Sequence, residues 1–457
     1  MMLLSELAAV TKGELRGTDA RFTSVGSDSR NIAKGQLFVA IKGDKFDGNT
    51  FAAQAVAQGA VGALVSDENV RDVPNVLVKN TRLALGELAH HWRAKQVLKM
   101  VAVTGSAGKT TVKEMIAAIL RAADCGDVLA TEGNLNNDIG MPLTLLKLNE
   151  NHRFAVIEMG MNHEGEIRYL THVASPDVVL VNNAGTAHIG ELGSREAIAR
   201  AKGEIYEGLD KDGIAIINAD DDFADYWRSL NAGRKVLTFG LNNPSDISIK
   251  SIALEANQDA PSRQVVLSTP QGEINVNLQM PGEHNVRNAL AAATAALALG
   301  APLIAIQQGL GSFGGVPGRL ARFAGLHGAM VVDDSYNANP DSMKAALDVL
   351  SSHSGQKIFV MGAMGELGAD APNMHAEIGV YAREKGIDTL LGLGDDTRYA
   401  VDAFGTGAQY FASLEALLEA VSGLMKRNVM VLVKGSRFMQ MERVIKAIVA
   451  EELGSAH

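Results

Sequence analysis

Lys109 and Thr110 follow Gly105 and Gly108 in MVAVTGSAGKTTVKEM, residues 100–115, where an apolar run meets a glycine-rich turn and then a helical pattern. Glycine at both places lets the backbone bend close to a polyphosphate. The N–H groups of Gly105, Ser106, Ala107, Gly108 and Thr111, with the positive end of the helix that follows, would meet its charge. Lys109 adds a point charge, and the Thr110 hydroxyl suits a ligand of Mg2+. The common P-loop pattern has four residues between its glycines, whereas only Ser106 and Ala107 stand here. The loop alone therefore fits either a nucleotide site or a tight strand-to-helix turn, and the flanking strand and helix favour the nucleotide.

Glu158 closes the apolar run FAVIE, and His188 ends VNNAGTAH after the next strand-like run. Parallel sheets collect ligands at the carboxyl ends of their strands. With Thr110 at the same rim, this carboxylate and imidazole make a candidate divalent-ion site, Mg2+ or Mn2+ bridging to a phosphate, although singly each reads as a structural residue. Lys202 lies on a helix opened by Ser194, with Ile198, Ala199, Ile205 and Tyr206 three and four positions away and no acid four residues off. Such an ammonium either snorkels to water or is desolvated, and a neutral amine can add carbon dioxide to become an anionic carbamate. Asn285, in PGEHNVRN, is an amide placed either to read an adenine edge or to cap a helix. Arg319, the first charge beyond the linker GLGSFGGVPG, is a candidate phosphate clamp, and the strand-end loop DDSYNANP brings Asp333 and Asn337 toward the same ATP.

These groups need alternating strands and helices to hold them. The 457 residues allow about three domains, and 47% hydrophobic against 21% charged residues is a globular balance. Short apolar runs at 37–41, 60–65 and 76–78 predict a small α/β domain over 1–82. A helix over 81–95 leads to strands at 101–103, 154–157, 178–181 and 214–217, which predict a doubly wound, mostly parallel sheet in a central domain over 83–315. Residues 246–276 break that rhythm as an antiparallel excursion. Strands at 330–332, 358–361, 390–393 and 429–433, with a helix over 343–350, predict a Rossmann-like third domain over 316–457. The five glycines of 309–318 read as a flexible hinge that lets this domain swing. Their formal G-x-G-x-x-G match follows a helix rather than a strand, which excludes a dinucleotide fingerprint.

A net charge of −10 argues against nonspecific binding of nucleic acid or an anionic membrane. The single cysteine, Cys125, reads as a helix-end packing residue and fits a reducing cytoplasm. The N-terminus carries no basic leader. The apolar stretch 289–306 approaches a membrane span in length, but its alanines and the Gly300–Pro302 stop predict a buried helix and no stable membrane insertion.

GSAGKTT, the Ala155–Glu158 strand end, His188, AKGE at 201–204, GEHN and PGR, in this order, resemble the bacterial Mur ligases over essentially the whole chain. SDSR, FDGNTF, GNLNNDIGMPLTLL, NHEGEI, DDSYNANP and KGSR are similar to the branch of that family that uses D-alanyl-D-alanine, and the Asp-Asn-Pro-Arg motif of the diamino-acid branch is missing. The resemblance implies a first domain that holds the UDP end of a UDP-N-acetylmuramoyl tripeptide through Ser29, Arg30, Asp47, Gly48 and Asn49. It implies a central ATPase, and a last domain closing over ATP and the amino substrate. It further implies an acyl-phosphate mechanism with Lys109, His188 and a carbamylated Lys202 as catalytic groups, Thr110, Glu158, His188 and the Lys202 carbamate around Mg2+, and a monomer. By their surroundings alone, SDSR and the 44–51 loop read as surface loops. A folate-polyglutamate-type ligase shares the ATPase core, but its P-loop comes close to the chain start. A guanine switch would need an Asn-Lys-x-Asp reader, and no Asn-Lys pair occurs.

Overall fold

The computed structural model describes residues 1–43, 46–124, 126–254 and 263–450. The expectation for Cys125, and Asp44 and Lys45 of the polar 44–51 loop, lie outside these residues. Three α/β units follow one another. The first is built on a five-stranded sheet in the order Glu14–Arg16, Asn75–Leu77, Gly62–Val65, Gln36–Val39, Ser24–Gly26, parallel except for its first pair.

The central sheet is wholly parallel, in the order Lys235–Phe239, Ile214–Asn218, Val178–Val181, Lys99–Thr104, His152–Glu158, Asp127–Ala130. Later strands add on both sides of Lys99–Thr104, so the crevice of the doubly wound sheet opens above that strand. Its two neighbours deliver Glu158 on one side and Asn182–Asn183 on the other. Both faces are covered, and so the strands are continuous runs of Val, Ile, Ala and Leu without alternation.

The apolar stretch resolves into two helices, Glu283–Leu299 and Leu303–Gly311. Gly300, at φ 92°, ends the first with its N–H on the Ala296 and Leu297 carbonyls. Alanine all round lets the first helix pack in one apolar cluster with the P-loop helix Lys109–Ala122 and with the antiparallel ribbon Arg263–Thr269 and Gly272–Leu278. No described helix is long and apolar enough to cross a membrane.

The hinge expectation needs correction in its first half. Gly309 and Gly311 are helical, and a Cβ on Gly309 would come within 2.4 Å of the Ile119 backbone. That glycine serves close helix–helix approach rather than flexibility. The connecting helix Thr81–Ala94 is likewise no tether, because Leu85, Leu88 and Ala89 join Leu4 and Leu7 of the first unit and Met100 of the central one in a shared core.

The last unit carries a six-stranded sheet in the order Ala321–Ala324, Met330–Asp334, Val429–Lys434, Gln356–Gly362, Thr389–Leu393, Ala408–Phe411, parallel beyond its first pair. It touches the central unit through Asp341, whose Oδ2 accepts from the Thr186 N–H at 2.7 Å and hydroxyl at 2.9 Å. A second seam joins the Gly190 N–H to the Glu366 carbonyl.

Candidate active site

A cavity of about 930 Å³ opens between the central and last units. Its floor is the loop after Lys99–Thr104. Gly108 has φ 78° at the start of the P-loop helix, and a Cβ there would sit 2.4 Å from Asn288 Oδ1 and 2.6 Å from Asn182 Nδ2. Glycine is required both for the left-handed backbone and for this collar of amides. Asn183 grips the loop at one residue, accepting from the Ala107 N–H at 2.8 Å and donating to the Ala107 carbonyl at 3.1 Å, while Asn182 donates to the same carbonyl at 2.9 Å. Ser106 Oγ accepts from the Gly185 N–H. The short loop is thus held by the segment after the neighbouring strand.

Lys109 folds back so that Nζ donates to the Gly105 carbonyl at 2.7 Å. Burial pulls its pKa below the ordinary lysine value, opposed by the Glu158 carboxylate. Ser106, Ala107, Gly108, Lys109, Thr110 and Thr111 line the cavity, whereas Gly105 sits behind it and offers its carbonyl to Lys109.

Thr110 Oγ1 donates to Glu158 Oε2 at 2.9 Å, and Asn136 Nδ2 holds the other carboxylate oxygen at 2.8 Å. Glu158 is buried and would be costly there without these partners. Hydroxyl and carboxylate oxygens side by side at the mouth of a phosphate cradle suit a hard divalent cation, which would fill its remaining positions with water and phosphate oxygen. Among the described residues, no three His, Cys, Asp or Glu side chains gather into a self-sufficient metal site. His188 lines the same cavity from a left-handed position, φ 65°, but its Nδ1 is turned to Glu366 Oε2 of the last unit at 2.7 Å, without hydrogen-bond alignment.

From the last unit, Arg319 Nη2 reaches Thr110 Oγ1 at 3.1 Å, and its guanidinium stacks over the Tyr336 ring at 4.4 Å. Asn337 lines the cavity, but Asp333 does not. Asp333 and Asp334 are consecutive on one strand and so face opposite sides. Asp334 is the one at the cavity, in an ion pair with Lys434 Nζ at 2.6 Å. Burial pushes the Asp334 carboxyl up and the Lys434 ammonium down, each opposed by the other's charge. Asn285 also lines the cavity, but Gly282 caps the helix. The Asn285 amide instead donates to the Pro281 carbonyl at 2.7 Å and accepts from Asn288 at 3.2 Å. The capping alternative is thereby set aside.

Lys202 is not on the cavity wall. The residue is 1% exposed, its side chain makes no hydrogen bond or ion pair to any described residue, and it is near enough to Lys109 for the two charges to oppose each other. Burial first, then Lys109, holds its pKa well below the ordinary value. Ser194 caps its helix, as its spacing indicates, accepting from the Ala197 N–H; the helix ends at Gly203, so Ile205 and Tyr206 come from the 3-10 turn that follows.

None of Ser29, Arg30, Asp47, Gly48 and Asn49 borders this cavity. They follow the adjacent parallel strands Ser24–Gly26 and Gln36–Val39 and share one edge of the first sheet. Arg30 is exposed and forked onto Asp28, whose carboxyl it draws down to about 2. Asn49 is buried with its hydrogen-bonding capacity used up: the Ser66 and Asp67 N–H groups donate to its Oδ1, and its Nδ2 donates to Asp47 Oδ1 and Ser66 Oγ. Its side chain holds the loop and has nothing left for a ligand, which corrects the expectation of a direct contact. A Cβ on Gly48 would strike the Ile41 backbone at 2.5 Å, so that glycine too is structural.

The residues that sequence reasoning passed over are the amides Asn182, Asn183 and Asn288, the Asp334–Lys434 pair, and Glu366 and Asp341 at the seam. For Asp334, strand alternation was the available signal.

Three family descriptions match the chain: the Mur ligase family catalytic domain over residues 21–93, the Mur ligase middle domain over 103–296, and the Mur ligase glutamate ligase domain over 318–437. The UDP-N-acetylmuramoyl-tripeptide--D-alanyl-D-alanine ligase of Escherichia coli K12 is 44% identical, over 97% of this chain and 98% of its own. A crystal structure of MurF from Acinetobacter baumannii superimposes with a TM-score of 0.90 at 38% identity, covering 97% of each chain. MurF ligase from Thermotoga maritima in complex with ADP superimposes with a TM-score of 0.81 at 27% identity, covering 93% of this chain and 96% of the other.

Proposed function

The chain belongs to the Mur ligase family of ATP-dependent carboxylate–amine ligases, and from that premise we propose that it joins UDP-N-acetylmuramoyl tripeptide to D-alanyl-D-alanine. The carrying observation is that Arg319 of the last unit and the phosphate cradle of the central unit meet on one hydroxyl, Thr110 Oγ1. A γ-phosphoryl group seated there has cations on both sides.

The tripeptide's terminal carboxylate oxygen attacks the γ-phosphorus of ATP, and ADP leaves. The amine of D-alanyl-D-alanine then adds to the acyl phosphate carbonyl, loses a proton and expels phosphate, forming the amide. Carboxylates are poor acyl donors, so the phosphoryl group supplies the leaving group. Lys109 and Arg319 hold the charge that spreads over its oxygens. Backbone N–H groups of residues 106–111 bind the phosphates, and Asn285 and Asn337 border the nucleotide. When bound, Mg2+ would neutralise phosphate charge, held by Thr110 and Glu158 with His188 and a carbamylated Lys202 close by. In this reading it works as a monomer in the cytoplasm, where ATP and UDP precursors are found.

The expected result is phosphate release only when UDP-muramoyl tripeptide, D-alanyl-D-alanine, ATP and Mg2+ are all present. Release that is indifferent to the dipeptide would overturn the reading.

In this reading the UDP end lies on the first sheet's edge, well apart from the ATP cradle. Arg30→Ala should weaken UDP-substrate binding by about tenfold or more, the loss of one charge-assisted contact, and leave ATP affinity unchanged. Calorimetry with each ligand separates the two. Equal UDP-substrate affinity in both proteins would remove Arg30 from the subsite.

A further inference from the structure

Arg437, in the KGSR segment, lines the cavity from the last unit, and nothing above gives it a role. The other two cations of that unit at the cavity are committed. Arg319 lies on Thr110, and Lys434 is locked to buried Asp334 and to the Asn337 carbonyl. Arg437 is different. Its side chain is 60% exposed, and among the described residues its one ion-pair partner is Glu442 at 3.1 Å, on the helix that begins five residues later. The arginine end of this pair faces solvent while Glu442 is half-buried, so the guanidinium is the partner that can turn to another carboxylate. The guanidinium is the side chain whose planar fork matches a carboxylate with two parallel hydrogen bonds.

Its position fits one anion in particular. Both arginines lie against one ring, that of Tyr336, whose centroid is 4.4 Å from the Arg319 guanidinium carbon and 6.0 Å from that of Arg437. The cation at the phosphoryl site and Arg437 thus share one aromatic neighbour. An extended dipeptide spans about 7 Å. An amine placed to attack at the phosphoryl site therefore leaves its own carboxylate near Arg437. The phosphates of ATP are met by the P-loop, and the UDP end is assigned to the first sheet's edge, so neither competes for this position. Ala338, whose carbonyl accepts from Ser436 Oγ in the same segment as Arg437, adds apolar surface at the cavity wall for a small side chain.

We propose that Arg437 binds the terminal carboxylate of the incoming D-alanyl-D-alanine and so selects a free dipeptide acid over carboxylate-lacking amines. This rests on the ligase reading above. The test compares D-alanyl-D-alanine with its C-terminal carboxamide on wild type, Arg437→Ala and Arg437→Lys, with melting curves to confirm folding. Wild type should prefer the acid by on the order of 100-fold in kcat/KM. Arg437→Ala should lose most of that factor on the acid, accept acid and amide nearly equally, and keep its KM for ATP and UDP-muramoyl tripeptide within about threefold. Arg437→Lys, with a point charge but no fork, should recover part of the preference. An alanine variant that discriminates acid from amide as sharply as wild type overturns the inference and leaves the ligase reading intact. A wild type that does not use the dipeptide acid at all overturns that reading, and the inference with it.

Discussion

Lys109→Ala is expected to abolish ligation in a protein that remains folded. The side chain donates a hydrogen bond to the Gly105 carbonyl, and the apolar residues beneath the loop, Val112, Met115 and Ile116, pack without it. Losing one such bond costs about 1 kcal/mol of stability. During phosphoryl transfer the same ammonium faces oxygens whose charge is spreading, in a cavity walled by protein, where a fixed cation is worth far more than in water. Its removal should lower kcat by at least about 10³-fold, roughly 4 kcal/mol of transition-state stabilisation. Turnover and melting temperature measured on one preparation decide the matter. Substantial turnover in a folded variant would take Lys109 out of the chemistry, while loss of folding would show that the Gly105 bond carries more of the loop than its geometry indicates.

What the sequence made legible, and what it hid, follows from the range of the interactions. The parallel strands read directly, because continuous apolar runs between polar turns have few other uses, and Val178–Val181 falls at its expected residues. The cradle was legible because Gly108, Lys109 and Thr110 are adjacent. Glu158 was legible because it ends a strand. The amide collar was not, since Asn182, Asn183 and Asn288 meet across up to 106 positions and carry no periodic signature. Asp333 was chosen over Asp334 by reading a motif where the two-residue strand repeat would have separated them. Gly309 shows the opposite error: counted with its neighbours it looked like flexibility, yet its missing side chain is what admits the P-loop helix. Asn49 was a ligand contact by resemblance only, its surroundings reading as a surface loop, and its four internal hydrogen bonds show a side chain that holds the loop.

The second large effect concerns Lys202, whose surroundings do not suit an ammonium. At 1% exposure and without an acceptor among the described residues, a charged amine there carries a desolvation penalty that Lys109 increases. As a free amine its pKa lies below the ordinary 10.5, so between the folded and unfolded values the unfolded chain binds the extra proton. Stability then rises with pH across that window, and the penalty grows as pH falls toward the folded value. Lys202→Met should flatten this slope. Carbamylation offers another outcome: the neutral amine takes up carbon dioxide, loses a proton and becomes an anion opposite Lys109, which turns a repulsion into an attraction. Bicarbonate should therefore raise the melting temperature of wild type, by mass action on the folded state alone, and leave Lys202→Met unmoved. In turnover, Lys202→Ala should lose at least about 100-fold and regain part of it with added formate or acetate, small carboxylates that fit the space the side chain leaves. Carbon-13 bicarbonate should give wild type, and not the variant, a carbamate resonance. An alanine variant with full activity would sink the assignment. A wild type indifferent to bicarbonate in melting, turnover and resonance alike would leave Lys202 a buried, unmodified amine.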